Sequence, residues 1–218
     1  MSTHAAAAPE KPRLRGVSHK FAAVVAFVAS AWLVAAAGSA QKARVAAVFG
    51  ASLTCLLTTS ALYHRVDWSE RARMRMRRAD HAAIFVLIAG GYTPLFALVP
   101  SPHGGHGALA VIWAGAALGV AKSLAWPRAP KWMTALLCVG LGWAVASEVL
   151  SRLSIVGPLC TGLLVACGVV YSLGAVVYAL KRPDPLPRVF GYHEVFHALV
   201  IVASGLLFAH VVLVLRAC

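Results

Sequence analysis

Two histidines, His193 and His197, stand four residues apart in GYHEVFHAL, where a long apolar run begins. On a helix that spacing puts both imidazoles on one face, one turn apart. Paired imidazoles at the edge of an apolar segment are costly unless they are hydrated, paired or bound to a metal. The same residues spell H-E-x-x-H, the zincin pattern, in which two histidines bind zinc and the intervening glutamate serves as base. A third imidazole, His64, closes another apolar run in SALYHR, with Ser60 one turn before it. A carboxylate, Asp80, opens the next run in ADHAAIF. Three imidazoles with one open coordination position make a catalytic type of zinc site, and a nearby carboxylate can orient a water there.

Composition says what must position them. The 218-residue chain is 60% hydrophobic and 12% charged, with mean hydropathy +0.77. A soluble domain carries about twice that charged fraction. Charges cluster between apolar blocks long enough to cross a bilayer, so the fold class is all-α, a polytopic membrane bundle. Residues 1–16, basic and proline-containing, read as a disordered cytoplasmic tail. Residues 17–218 read as one seven-span domain. The spans lie at about 17–38, 45–64, 79–99, 108–125, 132–150, 155–180 and 192–215. The first apolar run ends in small residues, as a signal peptide would, but is long for a signal-peptide core and is read as a span. Residues 65–78 read as a basic loop, and Pro94, with Gly90 and Gly91 beside it, is expected to kink the third span.

Lysine and arginine fix an orientation. Sixteen of the 20 fall in the N-terminal tail and the second, fourth and sixth connections; only Lys42, Arg44, Arg152 and Arg216 fall on the other side. The positive-inside rule then places the N-terminus in the cytoplasm and the C-terminus outside. Span two therefore ends, and spans three and seven begin, at one membrane face. With a rise of ~1.5 Å per residue, Ser60 lies ~6 Å deeper than His64, and His197 ~6 Å deeper than His193. Ser60, His64, Asp80, His193 and His197 are thereby brought to one slab of bilayer.

In this order and on these spans, Ser60-x-x-x-His64, Asp80 within ADHAAIFVLIAGGYTP, and His193-x-x-x-His197 resemble the signature of the hemolysin III family. That family is grouped with progestin and adiponectin receptors and, more remotely, with alkaline ceramidases. The resemblance implies that His64, His193 and His197 bind Zn²⁺. It also implies that Asp80 acts as general base or orients the attacking water, with Ser60 supporting it. It further implies an integral, multi-pass protein of the plasma (bacterial inner) membrane.

Three functions follow as expectations. One is a zinc-dependent hydrolase of membrane lipid amides with a ceramide-like substrate. A second is a non-enzymatic protein, lipid-sensing or membrane-perturbing in the manner the hemolysin name implies, whose zinc only pins spans two, three and seven. The third is an H-E-x-x-H metallopeptidase, which would need Glu194 aimed at the metal and a third ligand downstream, where only His210 follows.

Net charge is +13. The run RARMRMRR lies between two spans, which favours affinity for anionic lipid at the cytoplasmic face and argues against nucleic acid. The five cysteines form no C-x-x-C and behave as small apolar residues. His4, His103 and His106 read as solvated. His81, about 100° around the helix from Asp80, reads as packing or facing headgroups. Glu148 and Arg152 read as an ordinary i,i+4 surface pair. Nothing in the sequence fixes an oligomeric state.

Overall fold

The computed structural model describes residues 12–101 and 107–218; His4, His103 and His106 lie outside them. The described residues form eight helices and no strands. In chain order they are α1 (Val17–Ala35), α2 (Ala40–Arg65), α3 (Glu70–Leu98) and α4 (Gly107–Ala125), then α5 (Lys131–Trp143), α6 (Ala146–Leu150), α7 (Leu153–Leu180) and α8 (Tyr192–Ala217). Taken together, α5 and α6 cover one span, Lys131–Leu150, so seven stretches are long and apolar enough to cross a membrane. That is the all-α seven-span bundle expected from hydropathy.

Neighbours in the chain pack as neighbours in space: α1 on α2, α2 on α3, α3 on α4, and α7 on α8. The ring closes where α8 meets α1 and α3. Small residues permit the close approaches. A Cβ at Gly90 would lie 2.2 Å from the Ser52 hydroxyl, so α3 and α2 touch there nearly backbone to backbone. Gly90 thus serves close packing.

Four expectations need correction. The basic stretch is helical from Glu70 onward and not a loop. Its alternating Arg, Met and Ala are all good helix formers, and Glu70 in the first turn complements the helix dipole. Hydropathy alone shows the span and misses the helix that precedes it, because it scores those arginines as outside. Second, α7 begins at Leu153, before the expected span start, and departs from helical backbone at Gly157 (φ 81°, ψ 165°) just before Pro158, whereas α3 is helical on both sides of Pro94. Third, residues 12–16 are packed and not a free tail. The N–H groups of Arg13 and Leu14 donate to the carbonyls of Arg188 and Val189 at 3.1 and 3.2 Å, and Arg15 forms a partly buried ion pair with Glu194.

The fourth concerns Arg152, which is no surface residue: its side chain is only 3% exposed. It donates to the Val99 carbonyl (3.2 Å), the Glu148 carbonyl (2.6 Å) and the Glu148 carboxylate (2.8 Å), and lies 5.0 Å from the Phe96 ring centre. The i,i+4 pair is real, but it anchors the end of α3 to the α6–α7 turn.

Candidate metal centre

The site lies at the arginine-rich end of the bundle. α2 brings His64 in its last turn; α8 brings His193 and His197 in its first two turns. All three imidazoles are buried. One donor nitrogen from each lies within 4.8 Å of the others, and the Nε2 atoms of His64 and His193 are 3.1 Å apart. That contact can be an N–H···N hydrogen bond between neutral rings. It is also close to the ~3.3 Å edge of a tetrahedron with ~2.05 Å metal–nitrogen bonds. The donor set therefore fits zinc: three buried imidazoles, closely gathered, with no cysteine or carboxylate joining them among the described residues. The one group of three or more potential ligands among the described residues is this one.

Asp80 does not join the tight group but lines the same cavity, as does Ser60, whose side chain interacts with the Asp80 carboxyl group. α3 reaches the site a full ten residues beyond its N-terminus. The helical arginine segment therefore extends past the imidazole layer. His81 also lines the cavity, so it belongs to the site's surroundings and not to a headgroup-facing exterior.

Glu194 is turned to other work. One carboxylate oxygen pairs with Arg15, and the other accepts the Gly191 N–H at 2.9 Å, capping α8. The zincin geometry needs that carboxylate at the metal, so H-E-x-x-H is here a partial match. His210 lies far along α8, its Nδ1 2.9 Å from the Cys160 carbonyl and 3.3 Å from the Cys160 sulfur.

The cavity holds about 1070 Å³. It is polar near the imidazoles and becomes apolar toward Leu87, Val149 and Leu164. Trp143, Leu150 and Val165 line it and are 40%, 55% and 37% exposed. They belong to the α5–α6 and α7 wall, where the smallest share of residues is buried. At the polar end Lys131 donates to the Tyr192 hydroxyl (2.8 Å) and sits 4.7 Å from the Tyr178 ring centre.

The family model for haemolysin-III-related proteins matches residues 8–208. The chain belongs to the haemolysin-III-related family. Among curated relatives, Hemolysin-3 of Bacillus cereus is 27% identical over 195 residues, covering 88% of this chain and 86% of that protein. Hemolysin-3 homolog of Bacillus subtilis (strain 168) is 27% identical over 162 residues, 74% of this chain and 72% of that one. Heptahelical transmembrane protein 4 of Arabidopsis thaliana is 29% identical over 173 residues, but this chain spans only 45% of its length. Membership of the family makes this an integral, multi-pass membrane protein.

The structure also brings in a histidine that the sequence reading passes over. His19, in the first turn of α1, is 2% exposed, and its ring stacks on His197 with centres 3.8 Å apart and planes within 10°. It stands alone in an apolar helix, with no partner at helical spacing. The available signal was topological: span one starts at the same face as span seven.

Proposed function

We propose that this protein is a zinc-dependent hydrolase of membrane lipid amides, with ceramide-like lipids as the substrate class. The observation that carries the reading is the open donor set. Three gathered imidazoles face a cavity of about 1070 Å³, and the same wall carries Asp80 and Ser60. A structural zinc site would be closed by four protein ligands. Asp80 stands outside the tight group, which favours the hydrolytic reading over the merely structural one. With Glu194 committed to Arg15 and Gly191, nothing favours a peptidase.

Zinc bound at His64, His193 and His197 supplies a Lewis acid that activates water and polarises a carbonyl. The rest is done by the protein. The apolar end of the cavity takes the acyl chain and sets the amide at the depth of the imidazoles. Asp80, held by Ser60, removes a proton from the attacking water and returns it to the leaving nitrogen. The C–N bond breaks, yielding a fatty acid and a free amine. The exposed lining residues between α5–α6 and α7 suit a lipid arriving sideways from the bilayer. In the orientation implied by the charge distribution, the chemistry takes place at the cytoplasmic face. There the arginines of α3 would hold anionic lipid headgroups.

Purified protein in detergent should contain one zinc per chain and release fatty acid from a ceramide-type lipid. Release should be lost in Asp80→Asn with zinc retained. A zinc-loaded protein that releases no acid from any lipid amide would overturn the enzymatic reading.

A further inference from the structure

A histidine that binds a metal through one ring nitrogen ordinarily gives its other N–H to a carboxylate, carbonyl or water, and that bond fixes the ring's orientation. His197 lacks this device: its Nδ1 is buried and has no hydrogen-bond partner in the structure. Its ring is nonetheless boxed in. His64 and His193 meet it at steep angles, with centres 5.0 and 4.5 Å away, and Phe196 lies 5.7 Å away. His19 covers one face flat, at 3.8 Å. The two ring nitrogens of His19 are likewise buried and make no well-formed hydrogen bond; its one polar approach is to the His197 backbone, so its contacts of note are all with the residue on which it stacks.

The start of α1 is built to hold that stack. Gly16 takes φ 76°, a left-handed value suited to glycine, and a Cβ there would lie 2.7 Å from the His64 Cβ. α1 therefore begins in contact with the last turn of α2. Arg15 reaches the other way, to Glu194 on α8, one helical turn before the His197 ring. Between these two fastenings His19 has one place to go.

We infer that His19 is a positioning residue of the metal centre, holding His197 in its ligating orientation by ring stacking and not by binding the ion. This rests on the zinc reading. His19 stands outside the group of gathered donor nitrogens, and its ring lies parallel to that of His197 with centres 3.8 Å apart. The role therefore calls for a flat ring at position 19 and makes no demand on its nitrogens.

The test is competitive titration of the metal-stripped, detergent-solubilised protein with Zn²⁺ against a chelator, and with Co²⁺ followed by its visible spectrum. Wild type is compared with His19→Phe, with the ringless His19→Leu and His19→Met, and with His193→Ala. Phe should keep wild-type affinity and spectrum. Leu and Met should each weaken binding about tenfold or more, the scale of losing a ligand's orienting partner, and shift the cobalt bands. Circular dichroism checks folding, and either ringless variant suffices if the other does not fold. Wild-type affinity in the ringless variants overturns the inference while leaving the zinc site standing. A Phe variant as weak as Leu also overturns it, by showing that the nitrogens matter. Wild type that binds no more metal than His193→Ala removes the zinc reading itself, and the inference with it.

Discussion

The two ends of this bundle both bury polar side chains, and they treat them in opposite ways. At the end of α3 away from the imidazoles, Arg152 is saturated: two carbonyls, one carboxylate and an aromatic face surround it. Such a closed network ties elements together and leaves nothing over for a ligand. At the arginine-rich end, four imidazoles crowd together: His64 and His193 meet through their Nε2 atoms, while His19 and the Nδ1 of His197 are buried without a well-formed hydrogen bond. Burying unpaired polar atoms, as at His19 and His197, costs free energy, and on the proposed reading a bound metal is what offsets that cost. Saturation marks a lock; the gathered imidazoles are, on the proposed reading, a place for a metal to bind.

That contrast can be broken from either side. The largest effect expected is at the imidazoles. His64→Ala should reduce zinc content from one per chain to near zero by elemental analysis. It should leave the fold, read by circular dichroism, in place. Retained zinc would uncouple α2 from α8 as partners in one site. Arg152→Ala should do the converse. Zinc stays, while thermal unfolding in detergent shows a loss on the order of 3 kcal/mol, because two carbonyls and a partly buried carboxylate lose their donor. A silent Arg152 variant would mean the network adds no stability. Gly16→Ala should cost about 2 kcal/mol in the same assay, combining left-handed backbone with contact against His64. It should also weaken zinc binding, because the helix carrying His19 is pushed off α2. Glu194→Gln should have the smallest effect, about 1 kcal/mol, because Arg15 is 19% exposed and can turn to water. Zinc content should be unchanged, and a loss of metal there would restore the glutamate to the centre.

Much of the site was legible in the chain. The i,i+4 spacing of His193 and His197 survives any change of tertiary context, and the alternation of basic connections carries His64, Ser60 and Asp80 to the same end. What was not legible depends on contacts between distant helices. His19 has no sequence-local partner; its meaning arises only from the stack on His197. The Glu148–Arg152 spacing reads identically on an exposed and on a buried surface. The helical start of α3 was hidden because hydropathy and helix propensity disagree over a run of arginine. The bundle itself was plain because bilayer thickness constrains helix length directly.

On the hydrolase reading, Trp143, Leu150 and Val165, the exposed lining of the cavity between α5–α6 and α7, bear on how turnover should be measured. A lipid that arrives through that wall never dissolves in water, so its encounter with the site is a search in two dimensions. The quantity that saturates such a protein is the mole fraction of substrate in the membrane, not its molar concentration. Diluting the substrate with inert lipid at constant total amount should slow the reaction. Adding more vesicles of the same composition should not speed a protein already embedded in its own.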